Sequence, residues 1–147
     1  MRMAGAIGED GRFLLDALSA AGADTALVEV RPDTPSGHAI IQNDAAGDNC
    51  ILLYGGANRT ITQQQIRRTV AAFAPGDAIL LQNEVNGLTG LFRAAADAGL
   101  RIFFNPSPME AALLDLPLGL VDTFFLNEGE AAGLTGLPAS GTEGELP

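Results

Sequence analysis

Apolar and polar positions change period several times along the chain, and each change marks an expected element. A short apolar stretch at residues 3–7 and a Gly8-Glu9-Asp10-Gly11 turn precede Phe13, Leu14, Ala17, Leu18 and Ala21, which recur at helical spacing until Gly22. Strand, turn and helix follow. Residues 26–30 read as a second strand, broken by Pro32-Asp33-Thr34-Pro35-Ser36-Gly37. Two apolar runs, 38–42 and 49–54, flank the glycine-containing stretch 44–48, the pattern of an antiparallel hairpin. Beyond Gly55-Gly56-Ala57-Asn58, the stretch Thr62-Gln63-Gln64-Gln65 has capping-box spacing ahead of Ile66, Val70 and Phe73, which predicts an amphipathic helix ended by Pro75-Gly76. Residues 77–81, 101–104 and 121–126 read as buried strands, and Leu88, Leu91, Phe92 and Ala95 mark a helix stopped at Gly99. Pro106, Pro108 and Pro117 leave room only for a short helix near 110–114, and a last helix starts at Glu128. This alternation predicts an α/β domain over residues 1–136: a mostly parallel sheet flanked by helices, with the hairpin 38–54 as an appendage. Residues 137–147 have turn composition and read as a loop or frayed terminus.

Composition narrows the class. A chain of 147 residues suits one domain with a sizeable core, and 47% hydrophobic against 18% charged residues argues for a globular protein. No apolar run approaches the roughly 18 residues of a membrane span, and the apolar stretch at the start is too short for a secretory signal. A soluble, cytoplasmic protein is the expectation. Eighteen acidic residues against eight basic give a net charge of -10, which repels a phosphate backbone and leaves nucleic acid an unsuitable partner. All eight basic residues are arginine, so a lysine phosphate clamp and a Schiff base are excluded within the chain. Cys50 is the single cysteine and reads as a small hydrophobe on a strand.

The candidate chemistry sits where apolar strands turn polar. Glu84 follows one such run, Asn105 a second, and Asn127 with Glu130 a third. Ligands of open α/β sheets bind outside the carboxyl ends of the strands, so these four residues are expected to share one sheet edge. Asn127 and Glu130 lie three apart at a strand-to-helix junction, where both can face a crevice and the helix offers free N–H groups to a phosphate. A helix cap with no ligand explains the same spacing. Glu84 could meet a sugar hydroxyl or a metal-bound water, or be a solvated loop acid. Asn105-Pro106 needs nothing beyond turn chemistry. The lone His38 lacks partners for a triad or a multi-histidine metal site and reads as a solvated or packed side chain.

Several stretches also recur in a familiar order: Gly8-Glu9-Asp10 before Gly11-Arg12-Phe13-Leu14-Leu15, Ala20-Ala21-Gly22-Ala23-Asp24-Thr25, Pro35-Ser36-Gly37, Gly47-Asp48-Asn49, Gly56-Ala57-Asn58, Leu81-Gln82-Asn83-Glu84, Asn105-Pro106-Ser107-Pro108, and Asn127-Glu128-Gly129-Glu130 with Leu134-Thr135-Gly136. Together they resemble the ribokinase-like (PfkB-type) carbohydrate kinases over almost the whole chain. The resemblance implies a central sheet between helices and a lid of antiparallel strands, to which the 38–54 hairpin belongs as a partial lid. It implies ATP-dependent transfer of the γ-phosphoryl group to a hydroxyl of a sugar or related alcohol. Glu84 matches a sugar-binding position, and Asn127 and Glu130 match the Asn-x-x-Glu motif that acts on nucleotide phosphates and magnesium, Glu130 reaching the metal indirectly. A second subunit paired through the lid hairpin is the implied protein partner. The family's Asn-x-Asp sugar contact and its Gly-Gly-rich stretch are not in this sequence, nor is the Gly-Ala-Gly-Asp motif that carries the anion hole and general base. The chain therefore resembles the central segment of such a kinase, with the base expected beyond Pro147 and no turnover expected from the chain alone. The alternative is a non-catalytic ribokinase-like remnant that serves as an association or small-ligand-binding module.

Overall fold

Strands β1 (Arg2–Gly8) and β2 (Asp24–Arg31) run parallel in the computed structural model, with α1 (Arg12–Ala20) in the chain between them. Residues 1–43 and 49–138 are described. Gly8 leads into a 3-10 turn, Glu9–Gly11, that feeds α1, and Gly22 at φ +83° ends the helical segment as its spacing predicts. α1 differs from expectation in one respect: none of its residues is buried, and Phe13 is 66% exposed. The hairpin of β3 (His38–Asn43) and β4 (Asn49–Tyr54) is antiparallel and pairs Ile41 with Ile51 and Ile40 with Leu52. Its expected loop, 44–48, lies outside the described residues. A 3-10 turn, Gly56–Arg59, and α2 (Gln63–Val70) follow, and with Glu84–Gly87 these segments make up one compact unit, Met1–Thr69 plus Glu84–Gly87.

Why this unit closes is visible in its loops. Gly56 takes φ +45°, and a Cβ there would collide with the carbonyl of Pro35, so only glycine lets the two backbones meet. The fully buried Ala57 then donates its N–H to that carbonyl at 2.9 Å. The capping box expected at Thr62 forms only by half. Thr62 Oγ1 accepts the Gln65 N–H at 3.1 Å, but the Gln65 carboxamide donates to the Gly5 carbonyl at 2.6 Å and accepts from Arg31 at 2.8 Å. Arg31 also bonds Thr60 and Glu29, so a buried glutamine joins β1, β2 and α2.

The second unit, Val70–Asn83 with Leu88–Pro147, holds β5 (Ala78–Gln82), α3 (Leu88–Asp97), β6 (Arg101–Asn105), β7 (Thr123–Phe124) and α4 (Glu128–Thr135). β5, β6 and β7 form a parallel three-stranded sheet in that order. Parallel pairing is thus divided between two hydrogen-bonded groups, one in each unit. The periodic positions of α3 are its buried ones, Leu88, Leu91, Phe92 and Ala95, and the rings of Phe92 and Phe104 meet edge to face at 5.1 Å. Prolines limit the 106–120 connection to two 3-10 turns, Ala111–Asp115 and Leu118–Leu120. The strand expected over 121–126 shrinks to two residues. The Asp122 carboxylate accepts the Ile102 N–H at 2.7 Å and Phe125 donates to Phe104 at 2.9 Å, so side chain and loop continue the edge. Of the tail expected at 137–147, residues 139–147 lie outside the described part. Among the described residues no helix is long and apolar enough to cross a membrane.

Candidate functional site

The polar ends of β6 and β7 meet in the second unit. As β6 ends, Asn105 Oδ1 accepts the N–H of Ser107 at 2.8 Å, and the buried Pro106 pins the turn. The turn is held from the residue after β5 as well: the buried carboxamide of Asn83 donates to the Pro108 carbonyl at 2.7 Å. Beyond β7, Asn127 has extended dihedrals and begins α4. Asn127 Oδ1 accepts the Glu130 N–H at 2.9 Å while Glu130 Oε2 accepts the Asn127 N–H at 3.0 Å, a reciprocal capping box. Glu130 Oε1 accepts a hydrogen bond from the Ser107 hydroxyl.

Asn105, Asn127 and Glu130 therefore come together through Ser107, a residue with no local spacing signal for its bond to Glu130. Two N–H groups at this helix start, those of Asn127 and Glu130, are occupied by the box and so are not free for an anion. The cap explanation is realised in full, and any ligand role rests on what the carboxylate can still do. The Ser107 hydroxyl, and after it the Asn127 N–H, hold the Glu130 carboxyl below its ordinary value of 4.5 against a lesser effect of burial. It is an anion at neutral pH. Among the described residues no three His, Cys, Asp or Glu side chains converge into a metal cage. One fixed carboxylate nevertheless suits magnesium, which keeps several of its waters and takes one or two carboxylates plus phosphate oxygens.

Glu84 belongs to the first unit, within Glu84–Gly87, while Asn105, Asn127 and Glu130 belong to the second. It is half-buried in the turn after β5, and its carboxylate has no hydrogen-bond or ion-pair partner among the described residues. Its segment is well anchored: the Asn86 carboxamide bonds both the N–H and the carbonyl of Ile61, at 2.8 and 2.9 Å. The first unit also contains a buried serine whose bonding no spacing rule announced. Ser36 Oγ accepts the Gly8 N–H at 2.9 Å and donates to Asp10 at 3.0 Å, and Asp10 also takes the Ser36 N–H at 2.9 Å. The glycines at 8 and 11 were its signal, since a Cβ at either would strike this cluster. An adjoining open depression of 440 Å³ is lined by Glu9, Asp10, Pro32, Asp33, Thr34 and Pro35. Its three carboxylates disfavour phosphate. His38 is exposed on β3 with its ring 5.1 Å from that of Tyr54, and Cys50 is free and exposed on β4.

The model of the pfkB family carbohydrate kinases matches residues 1–145. Ribokinase of Staphylococcus aureus is 33% identical over 135 residues, covering 89% of this chain and 44% of the relative. Among solved structures, ribokinase from Cryptococcus neoformans in complex with ADP superposes with a TM-score of 0.73 at 31% identity, over 90% of this chain and 42% of that one. Arabidopsis thaliana ribokinase complexed with ribose and ATP gives 0.69 at 25% identity, over 97% and 48%. The chain spans less than half the length of these relatives. With strand, helix and hairpin arrangement matching as the motifs do, the chain belongs to the pfkB family of carbohydrate kinases.

Proposed function

We propose that the protein carrying this chain is an ATP-dependent sugar kinase that transfers the γ-phosphoryl group to a hydroxyl of a sugar or related alcohol. The observation that carries this reading is the Glu130 carboxylate, fixed through both oxygens at the end of a parallel sheet in a chain of this family. Phosphoryl transfer asks a protein chiefly for positioning and charge stabilisation. Glu130 would attract the hydrated cation that accompanies the nucleotide, and Asn127 would fix the helix start beside the phosphates. Magnesium, when bound there with ATP, would neutralise phosphate charge. Glu84, a half-buried carboxylate without a protein partner among the described residues, is suited to accept a hydrogen bond from a sugar hydroxyl. The general base and anion hole would come from outside residues 1–147, and the isolated chain would not turn over ATP.

Steady-state kinetics of the full-length enzyme test the assignment of sides. Glu130→Gln is expected to raise KM for Mg-ATP and leave the sugar KM unchanged. Glu84→Gln is expected to raise the sugar KM about tenfold or more, the size of one charged hydrogen bond, and leave Mg-ATP unchanged. Equal effects on both substrates would overturn the assignment. Sugar-dependent turnover by residues 1–147 alone would overturn the claim about the base.

A second reading, a non-catalytic module that associates through its hairpin, draws on one specific observation. Ile40, Ile41, Ile51, Leu52 and Leu53 are each more than half exposed, an unusual concentration of apolar surface on two adjacent strands. Pairing of two copies through this hairpin is compatible with either reading.

A further inference from the structure

We infer that Ser107 is a positioning residue for Glu130, converting a helix-capping carboxylate into one held in a single orientation toward the cation of a magnesium–nucleotide complex. The inference deepens the proposed function and rests on it.

The last torsion of a glutamate side chain is broad, so one hydrogen bond leaves the carboxylate plane free to swing. The capping box supplies only one such bond, from the Asn127 N–H to Oε2 at 3.0 Å. The second comes from the Ser107 hydroxyl to Oε1, 23 residues away in sequence. With a donor on each oxygen the plane is fixed, and each oxygen keeps lone-pair capacity for a metal-bound water. A helix cap gains nothing from that second bond.

Ser107 is itself oriented from two sides. Its N–H donates to Asn105 Oδ1 at 2.8 Å, and the next residue, Pro108, is tied to the turn directly after β5 by the buried Asn83 carboxamide at 2.7 Å. The turn after β6 thus relays the sheet's geometry to a side chain on α4. Partners of this kind around a metal-binding carboxylate are worth about 10–100-fold in metal affinity.

The test compares the unsubstituted full-length enzyme with its Ser107→Ala, Ser107→Thr and Glu130→Gln variants. The readouts are the chemical shift of the Glu130 carboxyl carbon in the free protein and calorimetric binding of ADP with and without magnesium. Amide spectra verify that each variant is folded. Ser107→Ala is expected to move the carboxyl resonance and to weaken Mg–ADP binding about tenfold while leaving metal-free ADP unaffected. Ser107→Thr, which keeps the hydroxyl, is expected to restore both. An unmoved carboxyl resonance in Ser107→Ala overturns the inference, as does Mg–ADP affinity that survives Ser107→Ala but falls in Glu130→Gln. Mg–ADP affinity that is absent from the unsubstituted full-length enzyme, or indifferent to Glu130→Gln, overturns the nucleotide-side assignment itself, and the carboxyl resonance then decides separately whether Ser107 holds Glu130.

Discussion

Two pairs of residues three apart show what sequence spacing specifies at the scale of single side chains. Asn127 and Glu130 make the reciprocal box that their spacing predicts, while Thr62 and Gln65 share the spacing and make half of it. The difference lies in competition. Gln65 finds the Gly5 carbonyl and the Arg31 guanidinium, partners 60 and 34 residues away that no local rule contains. Long-range bonds also explain why Ser36 and Ser107 were illegible, since a serine in a proline-containing turn looks the same with or without a distant acceptor. The Asp10–Ser36 pair gives a pH prediction. The Ser36 N–H is the largest influence on Asp10 and holds its carboxyl below the ordinary 3.8, with burial opposing. A folded value below the unfolded one stabilises the fold above the unfolded value and loses that contribution as pH falls through the folded value. Asp10→Asn should therefore lower Tm at neutral pH, and the gap from the unsubstituted protein should close as pH drops below about 4. Thermal melts across pH 2.5–7 check it, and a gap that is constant over that range would rule out the carboxylate as its origin.

At the scale of elements, periodicity was a good guide wherever one face is buried and a poor one where no face is. α3 buries the positions its spacing selects, and β5 and β6 lie within a residue of their expected limits. α1 has the same kind of spacing but buries nothing, and the hairpin strands are apolar on both faces, so pattern alone could not say which side would be covered. Direct opposition of Ile41 and Ile51 puts two β-branched residues together on one face, with Ala39 and Leu53 beside them. If that face pairs with a second copy, sedimentation should show concentration-dependent association, and Ile41→Glu should reduce it without altering the circular dichroism spectrum. A strictly monomeric unsubstituted protein at high concentration would exclude pairing. At the site, the three strand-to-polar switches were readable because each is an abrupt local change. Grouping them was harder: Asn105 reaches Glu130 by way of Ser107, and Glu84 lies in a segment of the first unit that Asn86 ties to Ile61.

For the whole molecule, the family explains both the order of motifs and the alternation of strands and helices, while the division into two units was not visible in the sequence. The reason is physical: the first unit is discontinuous, and only the contacts of residues 84–87 reveal it. Residues 1–69 made on their own would lack Asn86 and leave the Ile61 N–H and carbonyl without their partner. The Ile61 amide should exchange with solvent quickly in that piece and slowly in the full chain, and equal protection in the two would show that the segment is dispensable. During synthesis the same feature sets a schedule. The first unit cannot close until Gly87 has cleared the ribosome's exit tunnel, and by then all of β5 has emerged as well. An apolar strand of the second unit is thus released before the first unit is complete, so order of emergence from the ribosome cannot by itself keep the two folding reactions apart.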